Sequence, residues 1–395
     1  MGINKKTAAV PYYEILTGLR KELHKFPELS GKEYMTASKI SEVLLKTKPD
    51  RLITGLGGNG VAAIFRGTKK GPRVMLRAEL DALPINETNE VAYRSVNQGI
   101  SHKCGHDGHM SVAVGVAMWF SENRPGKGEM VILFQPSEEN GEGALAVLSD
   151  PVFGSIEPDY VLAMHNLPGY DLHEIVLGDG VFAAASEGMI INLKGKTAHA
   201  GEPEKGISPS LAVSRILKEL PLLPGNSDLT TFSLITIIHA VIGERAFGTS
   251  PGHAVIMATL RSSDNEEMKK LKDLAAGLVK EISSREKLDL KISWTEQFPA
   301  TENSSFLISQ AGRVAEQSGF RTRYIENTFR WSEDFGWFTR KYPGMLFGMG
   351  AGKEHPELHH PDYDFPDELI NSGVRFIHDL SSTLLTELNG RRISY

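Results

Sequence analysis

The stretch SHKCGHDGHM, residues 101–110, holds the only cysteine of the chain, Cys104, with His102, His106 and His109 of its 13 histidines within five residues of it. A thiol beside imidazoles can serve as a nucleophile with its base, as a metal ligand, or as an inert buried side chain. Cys-Gly-His sets two ligand types at i and i+2, and the glycine allows a tight turn between them. Other stretches carry similar side chains: RAELDALP (77–84), FQPSEENGEGA (134–144), LAMHNLP (162–168) and ELHHPDYDF (357–365). Glu138 and Glu139 follow the apolar run MVILF, His165 closes LAMH, and Asp81 follows RVMLRAEL. Ligands of open α/β sheets gather outside the carboxyl ends of the strands. Any one of these residues alone reads as an ordinary polar end to a strand. Together they favour metal binding over a thiol hydrolase, which has no need of distant carboxylates. Thiolate and imidazole suit zinc, and carboxylates widen the choice toward manganese or cobalt. If one ligand bridges, two metals can sit about 3.5–4 Å apart. A glutamate that binds no metal is then a general base. The local pattern leaves open which glutamate of the pair does which.

These residues need elements to position them. YYEILTGLRKELHKF has helical apolar spacing, PELSGKE breaks it, and YMTASKISEVLLKT is a second helix. VAAIFRG and RVMLRAEL read as strands on either side of a turn, and MVILFQ and YVLAMH as buried strands. A helix starting near Asp107, its expected N-cap, runs through MSVAVGVAMWFSEN. Alternating strands and helices predict an α/β fold with a mostly parallel central sheet. The pattern changes near residue 185. EGMIINLKGK, TTFSLITIIHAVIG, HAVIMATLRSS and LDLKISWTE are strands, with helices at SPSLAVSRILKEL and NEEMKKLKDLAAGLVKEISS. Residues 185–296 thus form an inserted α+β unit of ferredoxin-like type. Helical segments after it return the chain to the first domain, residues 1–184 and 297–395.

The length, 395 residues, suits two or three domains. A composition of 41% hydrophobic and 23% charged residues excludes a disordered or fibrous chain. The net charge of −6 offers no nucleic-acid footprint, and Lys5-Lys6 and Lys69-Lys70 read as solvated surface. No apolar run approaches the roughly 18 residues of a membrane span. The opening residues turn charged before a signal-peptide core develops. MGINKKT fails the myristoylation pattern at Lys6. One cysteine forms no intrachain disulfide, so a cytoplasmic location is expected.

The motifs LHKFPELSGKE, RAELDALP, CGHDGH, FQPSEENGEGA, MHNLPG, GKTAHAGEP, SEDFGWF and LHHPDYDF occur in that order over nearly the whole chain. In this the chain resembles the M20 metallopeptidase family, in particular its amidohydrolase subfamily of N-acyl-amino-acid, hippurate and auxin-conjugate hydrolases. The resemblance implies a catalytic domain with two divalent metal ions (zinc, manganese, cobalt or nickel) interrupted by a lid domain that forms a homodimer. By the same resemblance the ligands are Cys104, His106, Glu139, His165 and His359, with His359 favoured over His360. Glu138 is the general base, Asp81 orients a ligand, and His199 polarises the scissile carbonyl. The implied reaction is amide hydrolysis of N-acyl amino acids. A dipeptidase or carboxypeptidase of the family, and a non-catalytic binding member, are the alternatives. Short peptides are thus possible substrates, with no nucleic-acid or membrane partner.

Several residues depart from the family pattern. Glu79 stands where aspartate is usual, Ser137 for alanine and Asn140 for glycine. AFGTSPGHA sets Gly248 at an asparagine position that contacts substrate in the family, and adds His253. Arg330 is a candidate for a substrate carboxylate or a surface residue. His24 is expected in packing or at the surface, His102 and His109 as support. His173, His239, His355 and His378 are expected to be structural, and His253 at the lid surface or on substrate.

Overall fold

The computed structural model describes residues 11–387; Lys5-Lys6 and the MGINKKT segment lie outside them. The chain divides into two compact units, Met1–Phe182 with Glu302–Asn327 and Asp334–Tyr395, and Ala183–Thr301 with Thr328–Glu333.

The first unit is built on an eight-stranded sheet. Its early strands are β1 (Arg51–Leu56), β2 (Gly60–Arg66), β3 (Arg73–Glu79), β4 (Glu129–Gln135), β5 (Tyr160–Pro168) and β6 (Ile175–Leu177). The spatial order is β1, β2, β4, β3, β5, then the strand Gly344–Gly352, β6, and the strand Thr322–Tyr324. The centre is parallel: β3 pairs with β4 and β5, and β5 with Gly344–Gly352. Antiparallel pairs lie outside it, β1 with β2, β2 with β4, and Gly344–Gly352 with β6. Parallel strands covered on both faces read as continuous apolar runs, and β4 is buried from Met130 to Gln135. Register sets Glu79 opposite Gln135 and Arg77 opposite Ala163. The chain leaving β3 and β4 therefore emerges at one sheet edge, and His165 on β5 is level with Glu79.

Helices α1 (Tyr13–Lys25), α2 (Tyr34–Lys46) and α3 (His106–Glu122) join a core that also takes in the helix Glu368–Glu387. α3 is buried almost all round, as its run of Ala, Val, Gly and Met requires. Its Gly108 lies against Phe365, where a Cβ would come within 2.3 Å of the ring. Asp107 is not the N-cap. Gly105 holds that place at φ +93, and the Asp107 carboxylate is drawn away by Arg20 and His24. β5 also runs past His165 to Pro168.

The second unit has an antiparallel sheet in the order Ser233–Ile242, His253–Ser262, Ala185–Lys194, Asp289–Phe298. With helices Ser210–Glu219 and Asn265–Arg285, the chain order is βαββαβ, the ferredoxin-like arrangement. Asp264 caps the longer helix, its carboxylate accepting the Glu267 N–H at 2.7 Å. Thr328–Glu333, beyond the inserted segment in sequence, belongs to this unit, where Ala184 N donates to Phe329 O at 3.0 Å. Among the described residues no helix is long and apolar enough to cross a membrane.

Phe134 is fully buried on β4 in the core of the first unit. Phe134→Ala is expected to cost about 3–5 kcal/mol, read from the shift in urea unfolding midpoint. A cost below about 1 kcal/mol contradicts this packing.

Candidate metal centre

The edge where β3, β4 and β5 end receives the loop that opens α3. Cys104 Sγ lies 3.5 Å from His165 Nε2. His106 Nε2 lies 3.7 Å from Glu138 Oε2 and 3.8 Å from Glu139 Oε1, and His359 Nε2 lies 3.9 Å from Glu139 Oε2. Within each of three overlapping trios, the donor atoms lie within 4.8 Å of one another: Cys104, His106, His165; Cys104, Glu139, His359; and His106, Glu138, Glu139. The structure thus gathers all five residues named as ligands, with Glu138 among them. His360 is apart, its Nδ1 paired with Asp362.

The chemistry of this cluster follows from the far side of each imidazole. His106 Nδ1 donates to the Asp81 carbonyl at 2.8 Å, and His165 Nδ1 donates to the Asn166 carbonyl at 2.9 Å. Each ring in its neutral form therefore turns the lone pair of Nε2 inward, His165 toward the thiol and His106 toward two carboxylates. His106 Nε2 is buried with no hydrogen-bond partner among the described residues. Acceptors that converge in a buried site need a cation between them. The donor set of thiol, imidazole and carboxylate fits a divalent ion.

Electrostatics agree with this. Burial opposes charge on His106, but Asp81, Glu79 and Glu139 outweigh it and push its pKa up to about 10. The cluster attracts positive charge. His165 goes the other way: burial, aided by His109, lowers it to about 3. Its ring is therefore neutral and a poor base for the Cys104 thiol beside it.

Asp81 supports the cluster from behind. Its Oδ2 accepts Ser30 Oγ at 2.7 Å and Glu139 N at 2.9 Å. Burial opposes its charge, but His106, Ser30 and the Glu139 N–H together more than offset this, so its pKa is lowered. His109 bridges Glu79 Oε2 at 2.7 Å and Asn166 Oδ1 at 2.5 Å. Burial also opposes charge on Glu79, yet Arg77 and His109 hold it well below the carboxylate range. Arg77 continues to Asp334 Oδ1 at 2.5 Å and Gln135 Oε1 at 2.9 Å.

Of the two places expected for it, His24 takes the interior, with ion pairs that the sequence did not indicate. It is fully buried, with Nδ1 2.8 Å from Asp107 Oδ2 and Nε2 2.9 Å from Glu87 Oε1. Two carboxylates require both ring nitrogens to donate, so His24 is an imidazolium. The roles of Glu87, Lys103, Asn166 and Tyr363 escaped the sequence reading. The one available signal was Arg77-x-Glu79, whose period of two sets both on one face of β3, with Asp81 two residues beyond the strand.

His199 belongs to the second unit, on a ribbon that pairs it with Thr249. It is exposed, and its Nδ1 accepts the Gly201 N–H at 3.0 Å. In the neutral ring the proton is therefore on Nε2. Arg330 is exposed, with its guanidinium carbon 4.9 Å from the Phe232 ring centre. His253 is exposed, 3.8 Å from Glu244. His378 stacks on Trp119 and His355 Nε2 donates to the Asp364 carbonyl, both structural contacts.

Fold and site together describe a two-unit α/β protein with a metal-type donor cluster at the carboxyl edge of its larger sheet. The chain belongs to peptidase family M20/M25/M40, which it matches over residues 75–383. It is 29% identical over 385 residues to an N-acetyl-L-cysteine deacetylase of Bacillus subtilis (strain 168), covering 96% of this chain and 90% of the relative. It is 30% identical over 362 residues to an N-acetyldiaminopimelate deacetylase of the same strain, covering 91% and 96%. A solved B. subtilis structure described as a dinuclear metal binding peptidase from the M20 family superposes with TM-score 0.82 at 25% identity, over 95% of this chain and 99% of that one.

The His24 pair makes a pH prediction. Burial lowers the His24 pKa, but Asp107 and Glu87 outweigh it and raise it from 6.5 to about 9. A raised pKa contributes stability that is complete below about pH 6.5 and is lost as pH rises through about 9. Glu87 is depressed to about 2, with burial opposing and His24 and Lys103 prevailing. Its contribution is complete above about pH 4.5 and is lost as pH falls through about 2. In chelator, unfolding free energy is expected to fall from pH 6.5 to 9 by on the order of 3 kcal/mol more in the wild type than in His24→Gln. Equal slopes would contradict the assignment.

Proposed function

We propose that this protein is a metal-dependent amidohydrolase that cleaves the amide bond of N-acyl amino acids. The observation that carries it is the convergence of Cys104, His106, Glu139, His165 and His359 beside Glu138. The deacetylase names of the relatives support the substrate class. The five residues are the ligands of two divalent ions, with zinc, manganese, cobalt and nickel as candidates. The dinuclear relative supports the number of ions. Bound there, the ions supply Lewis acidity to an amide carbonyl and acidify water.

The chain's own groups handle the protons. Glu138, buried beside the cluster, takes a proton from the attacking water and returns it to the leaving amine nitrogen. Asp81 holds the His106 ring through its backbone carbonyl and the Glu139 backbone through its carboxylate. His199, with Nε2–H available in its neutral form, donates to the oxygen that gains charge on the acyl carbon. Residues 1–184 and 297–395 form the catalytic domain in this reading, and 185–296 the lid.

The lid also forms a homodimer. Ser233–Ile242 is an edge strand of its sheet, and Leu234, Ile238, Val241 and Ile242 are exposed along it. An unpaired apolar edge is a template for a second strand. The single cysteine accords with a cytoplasmic location.

Glu138→Gln is expected to lower kcat by about 10²–10⁴ with little change in KM. The assay screens N-acetyl and N-benzoyl amino acids and dipeptides with manganese, zinc or cobalt added. Full turnover by Glu138→Gln contradicts the mechanism. Cleavage of dipeptides alone contradicts the deacylase assignment.

A further inference from the structure

A chain of buried, alternating charges runs behind the ligand loop, and no step above uses it. Lys103 Nζ donates to Glu87 Oε1 at 2.8 Å and to the Tyr363 carbonyl at 2.7 Å. The same Glu87 oxygen accepts from His24 Nε2 at 2.9 Å, and His24 Nδ1 donates to Asp107 Oδ2 at 2.8 Å. Arg20 extends the alternation, 3.3 Å from Asp107 Oδ2 and 2.7 Å from Asp364 Oδ1. Lys103, Glu87, His24 and Asp107 are all buried.

The connectivity gives this chain its meaning. Lys103 immediately precedes Cys104, and Asp107 immediately follows His106. The path Lys103, Glu87, His24, Asp107 thus returns to the backbone on both sides of Cys104–Gly105–His106. That tripeptide turns through Gly105 at φ +93, where a Cβ would come within 2.4 Å of Asn166 Oδ1. The Lys103 carbonyl also accepts the His359 N–H at 2.8 Å, and His359 is itself held at φ +65. One residue therefore anchors the backbone beside two of the converging donors.

The stability these pairs add at neutral pH does not by itself explain the arrangement. Burying ions costs several kcal/mol each, and packed apolar side chains in their place are often as stable. Salt links of fixed length do what apolar packing does less well: they fix one spacing. α1 contributes no donor to the cluster, yet it supplies His24 and Arg20 to this path.

We propose that Lys103, Glu87 and His24 are positioning residues that clamp Cys104–Gly105–His106, and His359 through the Lys103 carbonyl, at the spacing that receives metal. The clamp rests on the reading of these donors as ligands.

The test titrates the metal-free full-length chain with cobalt(II) alone and follows thiolate-to-cobalt charge-transfer absorption, which reports Cys104. Glu87→Gln and Lys103→Met are expected to bind cobalt about 10–100-fold more weakly while keeping the far-ultraviolet circular dichroism of the wild type. Lys103→Arg keeps the cation and is expected to recover most of the affinity that Lys103→Met loses. A merely structural role lowers the melting temperature of the metal-free chain and leaves the cobalt Kd unchanged; that result overturns the clamp. No recovery in Lys103→Arg also overturns it. Should Glu87→Gln not fold, Lys103→Met decides by the same titration, since it leaves Glu87 held by His24 and by Ser95 N at 2.8 Å. If the wild type shows no thiolate-to-cobalt band, the ligand reading fails and the clamp falls with it.

Discussion

Lone pairs aimed at one small buried volume repel one another, and the first unit is organised around holding them there. His106 and His165 are turned inward by backbone carbonyls on their outer nitrogens. Glu139 is steadied by Asp81 through its backbone N–H. The carboxylates here favour positive charge, on His106 itself or on a cation between the donors. The free energy that keeps them in place comes from elsewhere: the apolar faces of the sheet and the nearly all-round burial of α3. This division suits a binding site, because the scaffold is then stable without help from the donors it carries.

Backbone geometry shows the same demand. Gly105, Ser137 and His359 all have positive φ, and each is a donor or lies within one residue of one. A non-glycine residue in this region costs of order 1–3 kcal/mol. Two such residues beside the cluster, Ser137 and His359, mark where tertiary structure overrides local preference. Ser137 is fixed by Glu33, whose Oε1 accepts its N–H at 2.8 Å. His359 is fixed by the Lys103 carbonyl. Both restraints come from residues far away in sequence, so the conformations of these two turns depend on the assembled unit.

The legible features were those written in local pattern. β4 as a continuous apolar run, α3 as a small-residue helix and the βαββαβ order of the insert all follow from periodicity. The strand Gly344–Gly352 was missed because GMLFGMGAG lacks β-branched residues. Gly348 and Gly350 sit where Leu167 and Asp171 leave no room for a Cβ, a constraint that no local propensity records. Asp107 was read as an N-cap because an acidic residue at a helix start has that local use. A long-range ion pair to α1 took it instead. His24 packs inside, one of its two expected places, but its ion pairs are not written locally: its partners are 63 and 83 residues away. The donor residues themselves were named from motif resemblance, and strand register supplies the physical reason they meet.

The departures from the family pattern fall outside the donor atoms. Glu79 replaces an aspartate, and it has the reach to meet Arg77 with one oxygen and His109 with the other. Through His109 and Asn166 it lies two contacts behind His165, where an altered side chain adjusts orientation without removing a ligand. Asn140 is half-buried beyond the buried Glu138 and pairs with Glu142. Gly248 and His253 belong to the second unit, on the segment that includes the partner strand of His199. Gly248 O accepts the Ala200 N–H at 3.0 Å, so the ribbon beside His199 is closed by backbone alone. A glycine there forms that bond as well as an asparagine would, but offers no side chain to a ligand. The ribbon is thus held by backbone, whereas the converging donors of the first unit act through their side chains.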